Sequence, residues 1–315
     1  MTTTDLVVTS GAGVTSSRYG FEELVTLFTQ AQDVCSSSRV TYARTLKAFF
    51  SWITETGRQL SDLTRQDIVA YKDALQHKAL AALTIGSYIV AVRKFYEWAE
   101  GEKLYPNIAK GIKTPRRKQA FKKQHLSDES SAALLQHFEG ISKRDYAIVN
   151  LLLRTGLRTI EAARADIGDI TFKGGRRVLM VWGKGHTEKD DFVVLSEKAY
   201  QPIANYLATR PRAKAGEPLF ASHSHNNAGG RMTTRAISQI CKDGLRAIGI
   251  DGREFTAHSL RHTTAVAILK HGGNITDVQS VLRHSSPVTS QIYTESIKEE
   301  LRLQQAAEYM IDEAF

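Results

Sequence analysis

Apolar positions recur three and four residues apart through the first third of the chain, the period of an amphipathic helix. Phe21, Leu24, Val25, Leu27 and Phe28 fall on this spacing within residues 21–32. Val40, Ala43, Leu46, Phe49, Phe50 and Ile53 form the stripe of a second helix, starting at about Ser37 and stopped by Gly57. Thr64 is placed to cap a third helix with Ile68, Tyr71 and Leu75 inward, and a fourth starts at about Leu83. Four short amphipathic helices predict a small bundle over residues 21–110.

The stretch GIKTPRRKQAFKKQHL then breaks the pattern, with six Lys or Arg, no acid, and Pro115 resisting helix continuation. Helical period returns at LSDESSAALLQHF, where Ser127 is a natural start. Residues 145–154 are apolar enough for a buried helix, TGLR ends it, and Thr159 starts another. Between residues 167 and 195 the period shortens: DITFK, RRVLMVW and DFVVL alternate as strands, joined by a tight Gly174-Gly175 turn and a longer GKGHTEKD turn. A helix is predicted from Glu197 to about Thr209, and Thr233 or Thr234 caps the next. The segment from His258 to Tyr293 holds a helix broken at Gly272-Gly273 and a second one, capped by Asn274 and ending near Arg283. Folding back there brings His284 and Tyr293 toward His258 and Arg261. The last residues are amphipathic, and Ile297, Leu301, Ala306, Met310 and Ile311 need a groove in their own domain or a neighbour. The predicted fold is mainly α with a small antiparallel β-sheet: a tail over 1–20, a helical bundle over 21–110, a basic linker over 111–125 and an α+β domain over 126–315.

The charge changes the picture of partners. With 42 Lys and Arg against 33 Asp and Glu, the net charge is +9, a field that attracts polyanions. Nucleic acid is the leading partner. Candidate phosphate contacts are Arg44, Lys47, Arg93 and Lys94 in the bundle, Arg116, Arg117, Lys118, Lys122 and Lys123 in the linker, and Arg235, with Lys242, on the Thr233/Thr234-capped helix. For any single one, a solvated face is the plainer reading. The linker, unmixed in sign and set between two domains, reads as a strap along a nucleic-acid backbone. Cys35 and Cys241 suggest neither a disulfide framework nor zinc, and His223 and His225 lack a carboxylate or thiol at ligand spacing. The first twenty residues are not a secretory signal, and no apolar run of about 18 residues predicts a membrane span. A reduced cytoplasmic setting fits.

The candidate chemistry is phosphoryl transfer, which needs cationic donors for non-bridging oxygens, a proton shuttle and a nucleophile. His258 and Arg261 share a helix face by their spacing. Arg158 sits at a helix junction with Glu161 three residues on, and Lys184 lies between two glycines in the longer turn, with Lys189 as its competitor. Each has a bland counterpart: a chance H-x-x-R, an arginine paired with Glu161, a solvated turn lysine, a packing tyrosine.

Taken in order, TGLRTIE, the GKG hairpin, HSLRH, LRH and a tyrosine nine residues after His284 resemble the tyrosine recombinases, the phage-integrase and Xer-type family, across both domains. The resemblance implies that Tyr293 attacks a scissile DNA phosphate, leaving a 3′-phosphotyrosyl link and a free 5′-hydroxyl. It implies that Arg158 and Arg261 hold the non-bridging oxygens, Lys184 protonates the departing 5′-oxygen, His258 assists the tyrosine's proton loss and His284 donates to the phosphate, with Glu161 a support. No metal or cofactor is implied. Residues 21–110 become a core-binding DNA clamp, residues 126–315 the catalytic domain, and the last helix a dock for the next protomer of a DNA-bound tetramer, alone or with a partner recombinase. Arg283 departs from the family, which usually has glycine before the histidine. The short tail implies a recombinase that recognises core sites only. A type IB topoisomerase and a catalytically silent DNA-binding regulator stay open as alternatives.

Overall fold

Four helices build the first unit: α1 (Phe21–Ala31), α2 (Ser36–Glu55), α3 (Arg65–His77) and α4 (Ala82–Gly101). Their inward faces are aromatic. Phe28, Phe49, Phe50 and Phe95 are at most 3% exposed, with Phe95 edge-on to both Phe28 (5.9 Å) and Phe50 (5.4 Å). Burying each such ring stabilises the bundle by roughly 1.5–3 kcal/mol. Thr64 caps α3, and Asp67 returns a carboxylate to the Thr64 amide at 2.8 Å. Val40, expected in the stripe of α2, is instead 69% exposed. Within that part of α2 it is Tyr42 and Ala43 that pack against the core, Tyr42 with its ring 5.8 Å from Phe28, and the buried residues proper begin at Thr45. Where the patterning predicts only a tail, β1 (Leu6–Ser10) and β2 (Gly13–Ser17) pair antiparallel.

The computed structural model describes residues 6–10, 13–17, 19–115, 124–183, 188–284 and 293, the first two stretches by backbone alone. The chain divides into two units, Met1–Gln119 and Ala120–Phe315. In the second, α5 (Asp128–Glu139), α6 (Lys143–Thr155) and α7 (Thr159–Arg164) precede a sheet of β3 (Ile170–Lys173), β4 (Arg176–Val181) and β5 (Asp191–Val194). The helices α8 (Glu197–Leu207), α9 (Thr234–Ala247), α10 (Ala257–Lys270) and α11 (Ile275–Leu282) follow. The strands run in the order β3-β4-β5, all antiparallel. Gly174 and Gly175 both have positive φ, 56° and 73°, the demand of the tight turn that pairs Lys173 with Arg176. Ser127 caps α5 and Thr233 caps α9, each accepting a main-chain N–H at 3.1 Å. The core centres on α6, whose Ala147, Ile148, Val149 and Leu151 are fully buried. A smaller cluster joins α10 to α11 through Ala265, Val266, Leu269, Val278 and Leu282, and Tyr293 belongs to it. Among the described residues no helix is long and apolar enough to cross a membrane.

Candidate active site

The site starts where α6 stops. Gly156 ends that helix in the left-handed region, φ 61°, and a Cβ there would lie 2.4 Å from Leu282. Only glycine lets α11 approach this closely. The turn delivers Arg158 to the start of α7, where its main-chain N–H donates to Glu161 at 2.8 Å and its guanidinium to the other carboxylate oxygen at 2.7 Å. Glu161 is 6% exposed, so this ion pair is buried on the carboxylate side.

The helix α10 supplies the next residues from inside the unit. Thr264 donates to the Leu153 carbonyl of α6 at 2.8 Å, and Thr263 accepts the Leu126 amide at 2.9 Å, which fixes the helix's rotation. His258 is exposed on the first turn, whereas Arg261, three residues on, is 2% exposed. The Arg261 guanidinium donates to the carbonyls of Gly156 and Leu282, tying the ends of α6 and α11 together. Burial first, then the charge of Arg158, pushes the Arg261 guanidinium down to about 10.

Asn274 caps α11, its side chain accepting the Thr276 and Asp277 amides at 2.8 and 3.1 Å. Arg283 ends the helix with φ 52°, and His284 follows with its amide on the Gln279 carbonyl. Tyr293 returns against this corner, 5% exposed. Its ring lies 4.7 Å from His262, nearly perpendicular, and 5.9 Å from His284, nearly parallel. Burial raises the Tyr293 phenol above its ordinary pKa, opposed by the charge of Arg261, a hydrogen bond from it and the charge of Arg158. His284 is pushed down to about 4 by burial and then by the charges of Arg261, Arg158, His258 and Arg283. Burial, followed by His125 and His258, takes His262 down to about 3.

Of the candidate residues, the structure therefore brings Arg158, Arg261, His284 and Tyr293 to one corner, with His258 near enough for its charge to be felt at His284. Lys184, and the linker residues Arg116, Arg117, Lys118, Lys122 and Lys123, lie outside the described residues. The competitor Lys189 is committed elsewhere: its ammonium sits 2.7 Å from Asp166 and 2.5 Å from Asp169, and Asp166 also binds Arg231. Arg44, Arg93 and Arg235 are exposed, while Lys47 pairs with Glu22 at 2.6 Å and Lys94 with Glu97 at 2.8 Å. Lys242 braces a loop by donating to the Asp251 and Gly252 carbonyls. Among the described residues no cluster of three or more His, Cys, Asp or Glu is set to hold a metal ion. Sequence reasoning passed over His262 and the pairing of Arg283 with Glu161. His262 adjoins Arg261, but ten of the fourteen residues of α10 are buried, so periodicity singles out no face.

A helical bundle and a mainly helical unit with a three-stranded sheet, the latter holding a buried tyrosine and a buried arginine at one corner, are the architecture expected of the tyrosine recombinases that the motif order resembles. Residues 124–300 match the phage integrase family, and residues 28–103 match the phage integrase N-terminal SAM-like domain. The chain is 30% identical over 298 residues to tyrosine recombinase XerC of Pediococcus pentosaceus, covering 89% of this chain and 95% of the relative. It is 29% identical over 276 residues to tyrosine recombinase XerD of Yersinia pestis, covering 86% and 90%. In fold it is similar to XerH site-specific recombinase bound to palindromic difH substrate in a post-cleavage complex, at TM-score 0.72 and 20% identity, covering 92% of this chain and 85% of that one. The chain belongs to the phage integrase family, the site-specific tyrosine recombinases.

Proposed function

We propose that this chain cleaves and rejoins duplex DNA at specific sites, exchanging strands in two rounds through a Holliday junction. The observation that carries the mechanism is the burial of Tyr293 and Arg261 at one corner of a single chain: the phenol ring packs between His262 and His284, within reach of the charge of a guanidinium that is itself held by two carbonyls. The Tyr293 oxygen attacks the scissile phosphorus, the bond to the 5′-oxygen breaks, and a 3′-phosphotyrosyl link forms. A phenol raised above its ordinary pKa is protonated at neutral pH, so attack needs a base. His258, exposed at the edge of the corner, takes that proton. Arg158 and Arg261 carry the negative charge of the phosphorane on the non-bridging oxygens. His284, held neutral by its surroundings, donates one N–H to the phosphate, and Lys184 delivers the proton to the departing 5′-oxygen. The covalent link conserves the energy of the broken diester, so the 5′-hydroxyl of the exchanged strand reverses the step without ATP.

In this reading residues 21–110 are the clamp on the core site, residues 111–125 a cationic strap along the backbone, and residues 126–315 the catalytic domain. The exposed Arg44, Arg93 and Arg235 reach phosphates, as do Lys47 and Lys94 once DNA outcompetes their surface partners, pairs worth under about 1 kcal/mol. The protein works in the cytoplasm as a tetramer on synapsed DNA, alone or with a partner recombinase, and the chain's last residues dock on the next protomer.

The test is a pool of nicked duplexes with randomised half-sites, incubated with protein and resolved under denaturing conditions. Wild type is expected to form a covalent adduct and Tyr293→Phe none, while both bind DNA. Adducts persisting in Tyr293→Phe would overturn the mechanism. Relaxation of plasmids without any preferred site would favour a topoisomerase, and binding without adduct a silent regulator.

A further inference from the structure

An arginine with a left-handed backbone calls for a reason. Arg283 has φ 52° and ψ 53°, a conformation that costs a non-glycine residue about 1 kcal/mol or more and that helix ends usually give to glycine. Its side chain is nevertheless only 8% exposed, and it reaches back into the site. One terminal nitrogen lies 2.6 Å from Glu161, the other donates to the Val281 carbonyl at 3.1 Å, and Nε stands 3.4 Å from Asp191 at the start of β5. The Glu161 carboxylate is thereby shared, since it also takes the guanidinium and the amide of Arg158. One buried carboxylate between two guanidiniums leaves a positive charge, where a lone Glu161–Arg158 pair would be neutral. Asp191, 35% exposed and farther off, offsets that charge only in part.

We infer that Arg283 is a positioning residue for the transesterification: by holding Glu161 from behind, it sets the Arg158 guanidinium toward the phosphate and keeps the pocket cationic. The same contacts tie the start of α7, the start of β5 and the loop of His284 into one corner. The inference deepens the proposed recombinase reading and stands on it. Removing the side chain does not orphan Glu161, which keeps Arg158, and glycine relieves the backbone, so chemistry is expected to suffer more than folding.

The experiment uses the full chain and the nicked duplex recovered from the randomised pool. The adduct-forming rate at saturating DNA and the DNA concentration at half rate are measured for wild type, Arg283→Gly, Arg283→Lys, Glu161→Gln and the double variant Glu161→Gln/Arg283→Gly. Arg283→Gly is expected to lower the saturated rate about tenfold, with the half-rate concentration changing by less than about threefold and the thermal midpoint held. Arg283→Lys regains part of the rate, because a single ammonium contact replaces the fork. In the Glu161→Gln background the further loss from Arg283→Gly shrinks to within about twofold, the signature of action through the carboxylate. A saturated rate for Arg283→Gly within about twofold of wild type overturns the inference, as does a full loss in the Glu161→Gln background. If Arg283→Gly fails to fold, Arg283→Asn, which also tolerates the left-handed backbone, takes its place with the same two criteria. Absence of an adduct in wild type fails the recombinase reading itself, a result distinct from a wild-type adduct that Arg283→Gly leaves unaffected.

Discussion

Gly156 meets three demands with one missing carbon: it reverses the chain after α6, leaves room for Leu282 and presents its carbonyl to Arg261. Gly156→Ala adds strain at a positive φ and a collision at 2.4 Å. Destabilisation of roughly 2–4 kcal/mol is expected in urea unfolding, together with loss of cleavage. An unchanged midpoint would mean that Leu282 gives way freely. At the same scale, His262 and His284 make the fold sensitive to acid. Both titrate far below the ordinary 6.5 when folded, at about 3 and about 4, so the unfolded chain binds more protons in between. Their contribution is whole above pH 6.5 and is lost as pH falls through that window, by up to about 1.4 kcal/mol per pH unit for each histidine. Thermal midpoints are expected to drop between pH 6.5 and 4.5, and less steeply in His262→Gln. Parallel profiles for the two proteins would contradict the assignment.

At the scale of elements, the corner depends on α11 keeping its register, because both Leu282 and Arg283 act from its end. Asn274→Ala removes the cap that holds two amides and is expected to cost about 1 kcal/mol and to slow cleavage more than binding. Equal cleavage rates would show that packing through Val278 and Leu282 fixes the helix unaided. The elements themselves were legible in the sequence wherever a local rule sets them. Ser127 and Asn274 mark helix starts because a short side-chain oxygen accepts free amides, Thr64 because Asp67 three residues on returns its carboxylate to the Thr64 amide and hydroxyl, and Gly174-Gly175 marks a hairpin because both residues must take positive φ. The inward Ile68, Tyr71 and Leu75 followed from period alone. Val40 did not: it shares the period of the stripe, yet at that end of α2 the core takes Tyr42 and Ala43 instead. In the site, the spacing of His284 and Tyr293 and the order of the motifs were readable, whereas the sharing of Glu161 by Arg158 and Arg283 joins residues 122 positions apart. No local pattern records such a contact. The surroundings of Lys189 are likewise tertiary: Asp166 and Asp169, which hold its ammonium at 2.7 and 2.5 Å, are brought to it by the fold.

At the scale of the molecule, two units with separate cores carry a net charge of +9. If residues 111–125 lie along the DNA backbone, the logarithm of the binding constant falls steeply and linearly with the logarithm of salt concentration. Replacing Arg116, Arg117, Lys118, Lys122 and Lys123 by Gln is expected to reduce that slope by up to roughly 4.5, about 0.9 for each phosphate left without a cation. An unchanged slope would return those residues to a solvated linker. The central claim is narrower, that one phenolic oxygen becomes bonded to DNA phosphorus beside two guanidiniums. Its most direct test is to trap wild-type protein on the nicked duplex, digest both components and locate the nucleotide by mass spectrometry. The account predicts a single phosphonucleotide on the peptide that contains Tyr293, attached through the 3′-phosphate. A nucleotide on any other residue, or attachment through a 5′-phosphate, would contradict it.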